Sequence, residues 1–169
     1  MQNRAWDIPD IRKSPDGGQG TSVMSEVRHV VCPSCATVNR VSSSRSALDA
    51  KCGTCHQALF TGKPAPADGK LFQRHVTRND IPVVVDFWAP WCGPCQAMAP
   101  AYERAAALLE PGFRLLKVNA DEAQPLMAQF GIRGIPTLML FANGTQVAQQ
   151  AGAMNMRDIV AWVQSHAPK

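Results

Sequence analysis

Six cysteines stand as three pairs of one spacing: Cys32-Pro33-Ser34-Cys35, Cys52-Gly53-Thr54-Cys55 and Cys92-Gly93-Pro94-Cys95. Thiolates placed in this way either hold a soft metal ion or exchange disulfides. The first two pairs are sixteen residues apart. C-x2-C-x16-C-x2-C is a spacing at which two turns close four thiolates around one tetrahedral ion. Gly53 eases the second of those turns. The surrounding segment, residues 24–62, has few large apolar side chains. A unit of about 40 residues rarely folds without a metal or a cross-link. One structural Zn2+ on Cys32, Cys35, Cys52 and Cys55 is therefore expected. Two disulfides or an iron–sulfur cluster would use the same sulfurs, and Cys52 to His56 also fits the C-x-x-C-H pattern of haem attachment. The paired array explains the cysteines better than haem does. Four thiolates already fill a tetrahedron, so His56 is not needed as a ligand. His29 and His75 read as surface or packing residues.

The third pair lies between a strand pattern and a helix pattern. Val83 to Trp88 is an apolar run broken only by Asp86, as in a central strand covered on both faces. Residues 94–109 read as a helix, with Pro100 predicting a kink. At such a helix start, unpaired amides and the positive end of the dipole favour a thiolate at Cys92. Cys95, about one turn further in, keeps its proton longer. Pro94 suits the first turn, where its missing N–H costs no intrahelical bond. The chemistry this allows is attack by Cys92 on a disulfide, followed by resolution of the mixed disulfide by Cys95. A further metal knuckle or a structural disulfide is the alternative, but no other cysteine pair in this half could complete a metal site. Burial of Asp86 inside its run would raise its pKa and suit it to proton exchange near neutrality. A solvated Asp on an edge strand is the other reading. Lys117 shares a face with Phe113 and Leu115, so it points inward or snorkels.

These groups need a scaffold, and the rest of the pattern supplies one. Asp68 can cap a helix carrying Leu71, Phe72, His75 and Val76 on one face. Phe113 to Val118 reads as a second strand and residues 122–130 as a short helix. Thr137 to Phe141 and Thr145 to Ala151 flank Asn143-Gly144, a hairpin signal. Residues 155–166 close the chain as a helix with Ile159, Val160, Trp162 and Val163 inward. The order βαβ then ββα gives the α/β class, a central mixed sheet flanked by helices. Before it stands the zinc-ribbon-like module. The division expected is a flexible tail over 1–23, the four-cysteine zinc-binding module over 24–62, a short stiff linker over 63–67 and the α/β domain over 68–169.

Val85-Asp86-Phe87-Trp88-Ala89-Pro90-Trp91-Cys92-Gly93-Pro94-Cys95, followed by Gly134-Ile135-Pro136-Thr137, resembles the thioredoxin family. With the four-cysteine module, the chain is similar to bacterial members that carry such a module at the N-terminus. The resemblance implies the thioredoxin fold, Cys92 as nucleophile and Cys95 as resolving thiol. It implies that Asp86 is a buried acid–base group coupled to Lys117, and that Pro136 is a cis-proline beside Cys92. Trp91, Gly93, Pro94, Ile135, Pro136 and Gly152 would form the groove that docks substrate. Gln96 departs from the pattern, since Lys or Arg commonly follows the second cysteine. The activity implied is reduction of protein disulfides, with re-reduction by the flavoprotein thioredoxin reductase and NADPH. The chain itself shows no G-x-G-x-x-G after a strand, so no bound organic cofactor is expected.

Composition limits the remaining classes. The 169 residues are 46% hydrophobic and 18% charged, with 17 Lys and Arg against 13 Asp and Glu. A net charge of +4 is too weak to argue for nucleic acid. Residues 1–63 carry 8 basic against 5 acidic residues, and a Zn2+ held by four thiolates takes back two charges. No apolar stretch is long enough for a membrane span, and Met1 to Val23 lacks the apolar core of a signal peptide. A cytoplasmic, monomeric protein is expected. Two rivals to the reductase stand: a disulfide oxidase or isomerase, and a protein whose zinc module binds clients or senses redox state beside an accessory catalytic domain.

Overall fold

The structure is a computed structural model that describes residues 26–42 and 46–169; the tail expected over residues 1–23 lies outside the described residues. Among the described residues, two sheets are formed. A hairpin pairs β1 (Val27–Val31) with β2 (Val38–Ser42), and a five-stranded sheet comes after it. In that sheet the order is β3 (Ala65–Pro66), β5 (Arg114–Asn119), β4 (Val83–Trp88), β6 (Thr137–Ala142) and β7 (Thr145–Ala151). β3 and β4 run parallel to β5, while β6 adds antiparallel to β4 and β7 antiparallel to β6. The apolar run of β4, broken only by Asp86, thus takes the middle, where both faces are covered.

Among the described residues, four α-helices cover the faces. α2 (Gly93–Leu109) and α4 (Met156–His166) pack against Val84, Leu115, Leu138 and Leu140. α1 (Gly69–Arg78) and α3 (Gln124–Gln129) pack against Val85, Phe87, Leu116 and Phe141 on the opposite face. Strand alternation therefore puts Asp86, two residues from Val84, on the face covered by α2. Asp68 caps α1 by accepting from the Leu71 N–H at 2.8 Å, an interaction worth about 1 kcal/mol. Asn143 and Gly144 take φ values of 51° and 79°, the conformation a two-residue hairpin turn requires. α2 runs as one helix with Pro100 inside it.

Part of the segment read as a linker does something else. Ala65 and Pro66 form an edge strand, and the Ala67 N–H donates to the Lys117 carbonyl at 2.9 Å. A proline is tolerated there because an edge residue need not donate outward. The opposite edge, β7, is largely exposed along its length, and its pairing with β6 shifts register between Leu140 and Phe141.

The four-cysteine module sits where β4 and β5 begin. Asn79, after α1, accepts from the Val31 N–H at 2.7 Å, and Asp80 accepts from the His29 N–H at 2.6 Å. A buried ion pair joins Arg114 to Glu110 at 3.2 Å, and both ends find backbone partners in residues 59–62. Arg114 donates to the Leu59 carbonyl at 2.6 Å and lies 4.7 Å from the centre of the Phe60 ring. Glu110 accepts from the Gly62 N–H at 2.7 Å. His75 is fully buried beside this seam. Burial first, and Arg114 second, drive its pKa down to about 3, so it stays neutral and its Nδ1 accepts from the Asn79 amide.

Candidate functional site

The end of β4 delivers the chain to Cys92, which is the N-cap of α2. The Cys95 N–H donates to the Cys92 sulfur at 3.3 Å, so a helix amide that would otherwise lack a partner points at the nucleophile. The two cysteines are joined as a disulfide with their Cα atoms 5.3 Å apart. Both are buried, Cys92 at 4% exposure and Cys95 at 2%. Pro94 occupies the first turn. Across from them the Ile135–Pro136 peptide is cis, and the Cys92 sulfur lies 3.8 Å from the Ile135 carbonyl oxygen.

Asp86 stands in register opposite Lys117 on neighbouring parallel strands. It is 1% exposed, and its Oδ1 finds no hydrogen-bond partner among the described residues. Burial pushes its pKa up to about 7, with Lys117 pulling the other way. Lys117 is half-buried, its ammonium 4.4 Å from the centre of the Trp88 ring. The buried reading of Asp86 therefore describes the observed geometry.

Trp91 is 70% exposed, and its indole N–H donates to Asp121 at 2.9 Å. Beside it a groove of about 520 Å3 runs past Cys92, lined by Gly93, Pro94, Asp121, Arg133 and Ile135 among others. Pro136 and Gly152 do not line this concavity; they are linked to each other by the Gly152 N–H donating to the Pro136 carbonyl at 2.9 Å. Gly152 adopts φ 97°, which suits glycine. Sequence reasoning missed Asp121, for which the sequence offers no signal, and Arg133, for which only its place next to Gly134 offered one. It also missed what Gln96 does: its amide donates to the Pro90 carbonyl and ties α2 to the loop before Cys92.

The other four cysteines converge in the module. Their sulfurs all lie within 4.8 Å of one another, with Cys32–Cys55 and Cys35–Cys52 each at 3.6 Å. Four thiolates on a tetrahedral Zn2+ at about 2.3 Å would stand roughly 3.8 Å apart, so the set fits such an ion closely. The two knuckles match bond for bond. Ala36 and His56 each donate their N–H to the carbonyl of the first cysteine at 3.0 Å, and Ser34 and Thr54 each donate to its sulfur at 3.4 Å. Asn39 staples them, donating to the Thr37 carbonyl and accepting from the Gly53 N–H. The Cys55 N–H, against burial, and then the Thr54 N–H and Asn39 pull Cys52 down to about 6, whereas Cys55, against the Gln57 N–H, is pushed up to about 12 by burial and the neighbouring sulfurs. His56 is exposed and outside the cluster.

Residues 64–165 match the family model described as thioredoxin. Thioredoxin C-3 of Corynebacterium nephridii is 37% identical over 134 residues, covering 79% of this chain and 92% of that protein. The chain belongs to the thioredoxin family. A thioredoxin of Haemophilus influenzae is 42% identical over 95 residues, 56% of this chain and 89% of that protein. Among solved structures, a mutant thioredoxin from Halobacterium salinarum is 33% identical, with a TM-score of 0.57 over 63% of this chain and 93% of that one. Residues 31–57 match the family model for the N-terminal region of thioredoxin 2, a zinc ribbon. This thioredoxin is thus a thiol–disulfide oxidoreductase with Cys92 and Cys95 as its dithiol, preceded by a zinc-ribbon domain whose four cysteines cluster for metal binding. Among the described residues, no helix is long and apolar enough to cross a membrane.

Proposed function

We propose that this thioredoxin reduces disulfides of other proteins and is re-reduced by the flavoprotein thioredoxin reductase at the expense of NADPH. The reading rests on one observation above all: the Cys92 sulfur caps α2 beside cis-Pro136, with an open groove next to it. In the reduced protein, the Cys92 thiolate attacks one sulfur of a substrate disulfide. A Cys92–substrate disulfide forms and the other substrate sulfur leaves as a thiolate. Cys95 then attacks the Cys92 sulfur, the Cys92–Cys95 disulfide closes, and the second substrate thiolate departs. Asp86, with its pKa near neutrality and a free carboxylate oxygen, takes the Cys95 proton and passes it on. Lys117 limits how far burial raises that pKa. Trp91, Gly93, Pro94, Ile135, Pro136 and Gly152 position the substrate chain.

The module holds a structural Zn2+ through Cys32, Cys35, Cys52 and Cys55, the ion supplying a cross-link and no part of the redox step. The working division is a module over 24–62 and a catalytic domain over 68–169, and the protein acts as a cytoplasmic monomer. Equilibrating Cys92–Cys95 in dithiothreitol redox buffers tests the reductase assignment. The usual value for thioredoxins is about −270 mV. A result near it supports the reductase. One toward about −180 mV or higher overturns it in favour of an oxidase or isomerase.

A further inference from the structure

The groove beside Cys92 carries an uneven charge. Its formally charged lining residues are Asp121 and Arg133. Asp121 is engaged by the Trp91 indole N–H at 2.9 Å, so part of its charge is answered from within the protein. Arg133 is exposed, and among the described residues it makes no hydrogen bond or ion pair. It directly precedes Gly134-Ile135, whose Ile135 carbonyl lies 3.8 Å from the Cys92 sulfur. The groove also receives the start of α2 through Cys92, Gly93 and Pro94, the positive end of a 17-residue helix. Two positive features therefore meet near the reacting sulfur, and one of them is a guanidinium that no described side chain neutralises.

We infer that Arg133 is a specificity-determining residue, favouring protein disulfides whose attacked half-cystine is flanked by acidic side chains. This rests on the reductase reading, because the occupant of the groove is the substrate chain that Cys92 attacks. Arg133 takes no part in bond making; it forms a solvent-facing charge pair with the bound chain, an interaction of modest size that salt weakens. The effect belongs in KM, since the pair forms on binding and does not change in the transition state.

The test uses the full chain with dithiothreitol as reductant and three disulfide-bonded peptides. They differ only in the residues flanking the attacked half-cystine: acidic in the first, serine in the second, lysine in the third. In the wild type, kcat/KM for the acidic peptide should exceed that for the lysine peptide by about two- to five-fold, carried by KM and flattened at high salt. Arg133→Gln should bring the ratio towards one, and Arg133→Glu should invert it. Turnover of all three peptides without charge preference, or a preference that survives Arg133→Glu, would overturn this inference and leave the reductase reading standing. Turnover of none would overturn both.

Discussion

The two kinds of Cys-x-x-Cys in this chain begin alike and part at one residue. In each knuckle and at the dithiol, the residue after the second cysteine donates its N–H to the carbonyl of the first, at 3.0 Å for Ala36 and His56 and 3.1 Å for Gln96. Ala36 and His56 then adopt φ 62°, which turns the chain back on itself. Gln96 stays helical, and α2 runs on for thirteen further residues to Leu109. The turn-back lets two knuckles face each other and share an ion. The helix instead leaves a lone pair of sulfurs at its start, with a buried carboxyl on the face beneath. Cysteine spacing is common to both sites, and the backbone conformation just beyond the second cysteine decides the chemistry.

Replacing Cys92 by serine separates the two sites most sharply. Disulfide reduction should fall by at least about 10³-fold, as expected for loss of a nucleophile, while the chain retains one metal ion in elemental analysis. Loss of metal together with activity would break the comparison, because it would make the two sites one system. The seam between them comes next. Arg114→Met leaves Glu110 buried without its cation and removes the donor to the Leu59 carbonyl. Urea unfolding should show a loss of about 3–5 kcal/mol.

Asp86→Asn bears on the dithiol alone. Its pKa of about 7 lies above the ordinary 3.8, so between those values the folded protein keeps a proton that the unfolded chain releases. Wild-type stability therefore declines as pH rises from about 4 to about 7, by about 3–4 kcal/mol in all, and stays low above that. The asparagine variant should lose this decline and be the more stable protein at pH 8. The same substitution should slow disulfide reduction by about 10²-fold and flatten its pH dependence near neutrality. An unchanged stability profile would show that the carboxyl is not held neutral by burial. The smallest expected effect comes from glycine. At Ala36 or His56, where φ is positive, glycine should raise the melting temperature of the module, each change worth about 1 kcal/mol. At Gln96 it should cost a similar amount in α2.

How much of this was legible depends on the range over which each signal acts. The run Val83 to Trp88, the Asp68 cap and the Asn143-Gly144 turn are local, and each fixes its own backbone. The two knuckles were readable for the same reason, as fixed spacings within short turns. Arg114 was not: one charge inside a strand pattern reads as a surface residue unless Glu110 and the Leu59 carbonyl are known to reach it. The Pro-rich stretch hid β3, because prolines suggest a linker and only the neighbouring β5 turns two of its residues into a strand. The pairing of Trp91 with Asp121 spans thirty residues and has no sequence pattern of its own.

The two edges of the main sheet also have different fates outside the native fold. One is closed by a two-residue strand containing Pro66, which offers little for another strand to pair with. The other is β7, seven residues long, with three glutamines, neither proline nor charge, and Val147 at 40% exposure. Crowded or partly denatured molecules would therefore add to one another along a single side, and any ordered aggregate should grow from residues 145–151.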